Sequence, residues 1–135
     1  MKKVEHIGIA VKDLKSANEL YRKLLGEAPY KTESVASEMV NTSFFKTGDT
    51  KIELLESTSP DSAINTFIEK RGEGIHHIAF EVDDIRAEMK RLKEAGFKLT
   101  RDANKGPTLR GGSTGKKKVV LHDLHQLLVQ LAYFV

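Results

Sequence analysis

The sequence of 135 residues contains no cysteine and no apolar run that approaches the roughly 18 residues of a membrane-spanning helix. Disulfide bonds and thiolate metal sites are therefore excluded, so a metal ion could be bound only by histidine, carboxylate and amide groups. The absence of cysteine also fits a reducing compartment, and we expect a cytoplasmic protein. Lysine and arginine number 22 against 19 aspartate and glutamate, and a net charge of +3 is too small to indicate a nucleic-acid partner.

Near the amino terminus, the short apolar stretch is interrupted by polar and charged residues at Glu5, His6, Lys12 and Asp13. The apolar region of a secretory signal would not tolerate them. We therefore expect neither a targeting signal nor a membrane partner.

The chain contains an internal repeat, which is informative because a repeat indicates the architecture of a fold directly. The segment from His6 to Leu14 aligns without a gap on the segment from His77 to Ile85. Each copy leads into an amphipathic pattern that predicts a helix ending at a glycine. The expected helix ends are Asp13 and Asp84 as N-caps, with Gly26 and Gly96 as the C-terminal stops.

Extended segments follow each of these helices. They are predicted at residues 33–40, 41–47 and 50–56 in the first half and at residues 97–101, 117–122 and 127–134 in the second. A short helix, with Ser59 as N-cap and Pro60 at its first position, is expected to join the two halves. Residues 102–115, rich in glycine, asparagine, threonine and lysine, predict a long mobile loop.

Each half therefore consists of a strand, a helix and three further strands, which predicts an α+β fold built from two βαβββ modules. We expect a single domain spanning residues 1–135. Its parts would be a first module at 1–58, a linking helix at 59–72 and a second module at 73–135.

Four predicted strands each place one polar side chain on the same face of the sheet, because side chains two residues apart share a face. These residues are His6, Glu53, His77 and Gln130. Small residues beside the histidines, Gly8 and Ala79, leave a hollow on that face, while alternate residues such as Ile9 and Leu54 face the helices. Imidazole, carboxylate and amide oxygen form a ligand set suited to cobalt, nickel, zinc, manganese or iron(II). The pattern thus predicts one divalent metal ion bound by the four residues.

Taken one at a time, these residues have ordinary structural interpretations. A lone histidine in a strand is more often hydrogen-bonded in a core or on a surface than bound to a metal, and a strand glutamate such as Glu53 usually faces solvent. Two histidines at equivalent repeat positions, each beside a small residue, favour the metal site. His76, which precedes His77, is expected to point to the helix side and to pack there.

Four motifs occur in a fixed order along the chain and carry a resemblance to a known family. They are His6-Ile-Gly-Ile-Ala, Thr50-Lys-Ile-Glu-Leu-Leu-Glu, Ser59-Pro-Asp-Ser and Lys70-Arg-Gly-Glu-Gly-Ile-His-His-Ile-Ala-Phe. With them the sequence resembles the methylmalonyl-CoA epimerases of the vicinal oxygen chelate superfamily, closely over residues 1–97 and more loosely thereafter. The resemblance implies the glyoxalase fold, in which two βαβββ modules form a cupped mixed sheet around one metal ion.

The resemblance also implies roles for individual residues. His6 and His77 match the two family histidine ligands, and Glu53 lies where the family has glutamine or glutamate. Gln130 takes the place of a family glutamate in the last strand. It would coordinate through its amide oxygen, and it can neither add charge nor act as a base. Cobalt is the first expectation for the metal, with nickel, manganese or zinc as alternatives.

The activity that the resemblance implies is epimerisation at C2 of methylmalonyl-CoA through an enolate. Glu53 is the expected base, and Glu38 on the second predicted strand is another candidate. Seven basic residues between Lys98 and Lys118 could contact the phosphates of coenzyme A or form a solvated surface. A homodimer is expected as well.

Two other functions stay open at this point. One is a glyoxalase I-type lyase that acts on a glutathione hemithioacetal and uses the same metal, although the motifs beginning at Ser59 and Lys70 favour the epimerase. The other is a non-catalytic small-molecule-binding protein, because one fold can host several chemistries.

Overall fold

The computed structural model describes the backbone of residues 1–100, 117–122 and 128–133, and the side chains of residues 1–97. The chain is mixed α+β, as predicted, and divides into two compact units. One unit is His6–His76, and the other joins Met1–Glu5 to the chain from His77 onward. The single domain with its module boundaries stays a prediction, and the predicted loop at 102–115 lies outside the described residues. Among the helices that are described, none is long and apolar enough to cross a membrane.

The unit His6–His76 contains a four-stranded sheet and two helices. Its elements are β1 (Lys3–Ala10, begun in the other unit), α1 (Leu14–Leu25), β2 (Lys31–Val35), β3 (Val40–Thr47), β4 (Thr50–Ser57) and α2 (Ala63–Arg71). The strand order is β2-β3-β4-β1. β1 runs parallel to β4, whereas the β2–β3 and β3–β4 pairs are antiparallel.

Both faces of this sheet carry apolar clusters, because alternate residues of each strand point to opposite sides. On one face α1 packs on a core of Val11, Phe45 and Leu54, with Ile9 and Ile52 beside it. This is the helix side that the sequence predicts. On the other face α2 contributes to the second cluster, which consists of Ala10, Val40, Leu55 and Ile64 with Val35, Phe67 and Ile68 packed against it. One end of the face expected to be hollow is therefore covered by α2.

The second predicted strand is shorter than expected. β2 ends at Val35, and Ala36–Glu38 form a 3-10 turn that returns the chain into β3. The turn is closed by the N–H of Met39, which donates to the oxygen of Ala36 at 3.1 Å, and Met39 has a left-handed φ of 55°. Residues 31–47 therefore form a hairpin, and Glu38 lies in its turn rather than on a strand.

The start of α1 is held by tertiary contacts instead of the predicted cap. Asp13 occupies the N-cap position, but its carboxylate accepts from the hydroxyl of Ser16, which holds the Asp13 pKa below its usual value. The N–H of Leu14 donates to Glu56 Oε2 at 2.7 Å, and the N–H of Lys12 donates to Glu73 Oε1 at 2.7 Å. Two carboxylates from elsewhere in the unit thus satisfy N–H groups and complement the helix dipole.

The linking helix begins one turn later than the sequence predicts. Ser62 is the N-cap of α2, and its Oγ accepts from the N–H of Ile64 at 3.1 Å. Ser59 takes part in the preceding turn, because its oxygen accepts from the Ser57 hydroxyl at 2.6 Å and from the N–H of Ser62 at 3.1 Å. Pro60 consequently lies in that turn and not in the helix.

The second unit contains four strands and one helix in the described ranges. Its elements are β5 (Gly74–Val82, begun in the first unit), α3 (Ile85–Glu94), β6 (Lys98–Thr100), β7 (Lys117–His122) and β8 (Leu128–Tyr133). The strand order is β5-β7-β8-β6, with β5 and β8 antiparallel to β7 and with β6 parallel to β8. The two modules therefore repeat the order of elements, as predicted, although their strands are not paired in the same order.

The ends of α3 and α1 match the predicted glycine stops. Asp84 Oδ1 accepts from the N–H groups of Arg86 and Ala87 at 3.0 and 3.1 Å, so this aspartate is the expected N-cap. At the other end of α3, Gly96 has a φ of 91°, and hydrogen bonds from the N–H groups of Gly96 and of the next residue close the helix. Gly26 ends α1 with a φ of 81°.

Candidate metal centre

A histidine and a glutamate lie together inside the unit His6–His76. Nε2 of His6 is 3.2 Å from Oε2 of Glu53, and the two residues are only 5% and 4% exposed. The parallel register of β1 and β4 places Gly8 directly opposite Glu53. Because glycine has no side chain, the imidazole two residues away can occupy the space beside the carboxylate.

The spacing of these two atoms fits a shared metal ion. Two ligand atoms in neighbouring positions of an octahedron, each about 2.1 Å from the metal, lie about 3.0 Å apart. The 3.2 Å between His6 Nε2 and Glu53 Oε2 is close to that value. The pair could therefore bind one ion with little movement of either side chain.

Two neighbours of Glu53 on its face of the sheet are apolar. Phe44 on β3 lies directly opposite Glu53, and Leu55 follows two positions along the same face of β4. Leu55 is packed in the cluster that contains Ala10 and Ile64. A carboxylate with aromatic and aliphatic neighbours is shielded from water, which strengthens its interaction with a cation.

His77 is the third predicted ligand, and the longer segment of the second unit begins at this residue. It lies on β5 and is half-buried, and Ala79 two residues later is completely buried. The two imidazoles and one carboxylate that His6, Glu53 and His77 supply form a donor set that fits a divalent metal ion. That set does not by itself select one metal.

The remaining predicted site residues have different outcomes. Gln130 lies on β8, in register with Val120 on β7 and Thr100 on β6, and its side chain lies outside the described residues. Its role as a ligand stays a prediction. The side chains of the basic stretch from Lys98 to Lys118 lie outside the described residues too.

His76 has a packing role, as the sequence predicts, but it packs on the linking helix α2 rather than on an amphipathic helix that follows a repeat strand. Its ring meets the ring of Phe67 on α2 edge-to-face, with centroids 5.1 Å apart. The guanidinium carbon of Arg71 lies 5.9 Å from the centroid of the same phenyl ring. The two consecutive histidines therefore have different surroundings, and His76 belongs to the packing of α2.

Phe44 and Lys51 are neighbours of the His6–Glu53 pair that the sequence analysis did not identify. Their positions could have been predicted from the hairpin between β3 and β4, because Thr47 and Thr50 form the pair next to its turn. Counting back from that pair places Phe44 opposite Glu53 and puts Lys51 on the Glu53 face. The count requires knowledge that the two strands are joined by a tight turn.

The fold and the donor set define a member of a known superfamily. The family model of the Glyoxalase/Bleomycin resistance protein/Dioxygenase superfamily matches residues 5–113, and the chain belongs to this superfamily. The family resemblance seen in the sequence is thereby confirmed.

Two curated proteins and one solved structure show what the chain is similar to. The uncharacterized protein YqjC of Bacillus subtilis is 38% identical over 133 residues, which are 97% of this chain and 91% of that protein. The ethylmalonyl-CoA/methylmalonyl-CoA epimerase of Cereibacter sphaeroides is 38% identical over 132 residues, which are 96% of each chain. A variant of the Streptomyces coelicolor methylmalonyl-CoA epimerase, in complex with 2-nitronate-propionyl-CoA, has a TM-score of 0.74 and 28% identity, and the match covers 99% of this chain and 97% of that chain.

Proposed function

We propose that the protein is a metal-dependent isomerase that interconverts the C2 epimers of methylmalonyl-CoA. The observation that carries this proposal is the buried His6–Glu53 pair, whose 3.2 Å spacing suits two ligands of one ion. The similarity to epimerases, one of them in complex with an acyl-CoA compound, indicates an acyl-CoA thioester as the substrate class.

The proposed metal site consists of His6, Glu53, His77 and Gln130, which together hold one divalent ion. Cobalt is the first choice among the metals, with nickel, manganese and zinc as alternatives, because imidazole with oxygen ligands suits all of them. When bound, the ion supplies Lewis-acid stabilisation of the negative charge that develops on the thioester oxygen, worth several kcal/mol. Two neutral imidazoles, one amide and one carboxylate leave a net positive charge for an anionic substrate.

The proton at C2 needs a base, and Glu53 is our candidate. One carboxylate oxygen of Glu53 is 3.2 Å from His6 Nε2. An ionised carboxylate has two oxygens that can accept a proton. Phe44 beside it limits the access of water, so that the carboxylate is less strongly hydrated. Glu38, in the 3-10 turn before β3, is a second candidate for moving a proton on the opposite side of C2.

We also propose that the protein is cytoplasmic and forms a homodimer. Two leucines on α1 support an interface between copies, since Leu20 is 62% exposed and Leu24 is 72% exposed. Light scattering on the purified protein should give a mass twice that of the chain, and a mass equal to that of one chain would contradict the dimer.

The activity can be tested by hydrogen exchange at C2. Protein purified without chelators and incubated with methylmalonyl-CoA in D2O is expected to incorporate deuterium at C2, as followed by mass spectrometry. Chelation followed by dialysis should lower the rate by at least about 10²-fold, because the several kcal/mol of charge stabilisation are lost with the metal. Addition of Co2+ should restore the rate.

Three outcomes of this assay would contradict the proposal. Metal-loaded protein that binds the thioester without exchange would be a binding protein and not an enzyme. Turnover of a glutathione hemithioacetal in place of exchange would indicate a lyase. Exchange at an unchanged rate after complete metal removal would exclude the metal from the reaction.

A further inference from the structure

Basic side chains extend across the sheet from the His6–Glu53 pair. The register of β1 and β4 places Lys51 opposite His6, and the register of β3 and β4 places Lys46 opposite Lys51. Lys51 precedes Glu53 by two positions, so the two side chains share a face of β4. Lys46 lies on that same face, because directly opposite residues of neighbouring strands point to the same side.

The ammonium group of Lys46 is oriented by an aromatic ring. Its Nζ lies 4.8 Å from the ring centroid of Tyr30, and the Tyr30 and Phe44 centroids are 6.3 Å apart. Nζ of Lys31 lies 5.5 Å from the Phe44 centroid on the same side. A cation held over an aromatic ring has a preferred position, so it loses less freedom when a ligand arrives.

Among the residues that β2, β3 and β4 place on this face, lysines outnumber carboxylates by three to two. The lysines are Lys31, Lys46 and Lys51. One carboxylate is that of Glu33, 3.8 Å from Lys31, and the other is that of Glu53, next to His6. Side chains directly opposite in a sheet have Cβ atoms about 5 Å apart, so the two long side chains of Lys46 and Lys51 can reach one small anion together. Two ammonium groups that approach one anion would both be attracted to it.

We propose that Lys46 and Lys51 form an anion subsite for the acyl-CoA substrate, an inference that rests on the proposed function. Lys51 lies about 6.6 Å along β4 from Glu53, which is two residues at the usual rise of a strand. An anion bound by Lys51 would adjoin the reacting carbon if the lysine side chain extends towards Glu53, and it would lie farther along the sheet if the side chain extends away from Glu53. The anion is either the free carboxylate of the acyl group or a phosphate of the coenzyme A carrier, and both have the oxygen acceptors that lysine binds.

The test measures dissociation constants by calorimetry with the metal-loaded, full-length protein and three probes. Methylmalonyl-CoA carries both kinds of anion, propionyl-CoA lacks the carboxylate, and methylmalonyl-pantetheine lacks the phosphates. Lys46→Met and Lys51→Met are each expected to weaken binding of methylmalonyl-CoA at least about ten-fold, as for the loss of a charge-assisted hydrogen bond. Lys46→Arg and Lys51→Arg, which keep the charge, should remain within about three-fold of the parent. The matched control is Lys23→Met on α1, where the same charge is removed from the opposite side of the sheet.

The pattern over the probes identifies the anion. If it is the carboxylate, the methionine variants lose affinity for methylmalonyl-CoA and methylmalonyl-pantetheine and keep it for propionyl-CoA. If it is a phosphate, they lose affinity for both coenzyme A thioesters and keep it for the pantetheine compound. Methionine variants that bind all three probes like the parent would overturn the subsite and leave the proposed function intact. A parent protein that binds neither coenzyme A thioester would overturn the proposed function and the subsite together.

Discussion

Replacement of His77 by alanine is expected to abolish both metal retention and C2 exchange while the fold persists. In the proposed site His77 is one of two imidazole ligands, and its loss leaves Glu53 and the other imidazole without a strong third donor. We expect metal affinity to fall by more than about 100-fold, since replacing residues that only hydrogen-bond to the ligands already costs about 10- to 100-fold. Metal content after gel filtration and the exchange rate at fixed metal concentration would measure the effect.

His76 provides the matched control for this experiment. His76→Ala removes an imidazole one position earlier, where the ring packs against Phe67 with a centroid distance of 5.1 Å. Its expected effect is a loss of about 1 kcal/mol in the free energy of unfolding, typical of an aromatic pair, with metal binding retained. If His77→Ala keeps its metal and exchanges at the parent rate, His77 is not a ligand. If His76→Ala loses the metal instead, the assignment of the two histidines must be reversed.

The features that the sequence predicts correctly are those determined by local pattern. The repeat beginning at His6 and His77 predicts the order of strands and helices in both modules, and each predicted strand coincides with an observed one apart from shifts at the ends. Strand alternation alone assigns Leu54 to the helix side and Glu53 to the opposite side. The period of two in a strand is a property of the backbone, and it does not depend on what the strand packs against.

The features that the amino-acid sequence predicts wrongly, or does not predict, depend on contacts between residues that are far apart in the chain. Asp13 occupies the N-cap position, yet the N–H of Leu14 at the start of α1 donates to Glu56, and the N–H of Lys12 just before the cap donates to Glu73. Nothing near Asp13 in the sequence indicates that those carboxylates lie within reach. The pairing of β5 with β7, where the first module pairs β1 with β4, is a feature that the repeat does not predict at all. Strand order depends on the competition between whole strands, which a local pattern does not record.

The turn at Ala36–Glu38 is a mixed case. The sequence predicts two strands that meet between residues 40 and 41, whereas the chain turns back several residues earlier, at Ala36–Glu38. Alternation alone does not indicate that position. The reversal occurs at Met39, a residue without the conformational preference of glycine for a left-handed φ. The consequence for function is that Glu38 is carried on a turn, so its position relative to Glu53 is set by the hairpin and not by strand alternation.

Substitution of Glu53 by glutamine is expected to separate metal binding from proton transfer. The amide keeps an oxygen that can coordinate, so the metal should remain bound, although more weakly because a negative charge has been removed beside a dication. An amide cannot accept the C2 proton, so the exchange rate at saturating metal should fall by about 10²- to 10⁴-fold, the contribution of a positioned general base. Exchange measured over a series of metal concentrations distinguishes the two effects, since only the loss of the base persists at saturation.

Two other glutamates serve as comparisons that show whether the loss of exchange is particular to Glu53. Glu33→Gln removes a carboxylate from the same sheet face, next to Lys31 at 3.8 Å, and should leave the exchange rate within about three-fold of the parent because surface charges of this kind contribute little. Glu38→Gln tests the residue in the 3-10 turn. A normal saturating rate in Glu53→Gln with a large loss in Glu38→Gln would assign the base to the turn and leave Glu53 as a ligand only. Losses of similar size in both variants would instead mean that each carboxylate moves one of the two protons that epimerisation requires, one removed from C2 and one returned to its opposite face.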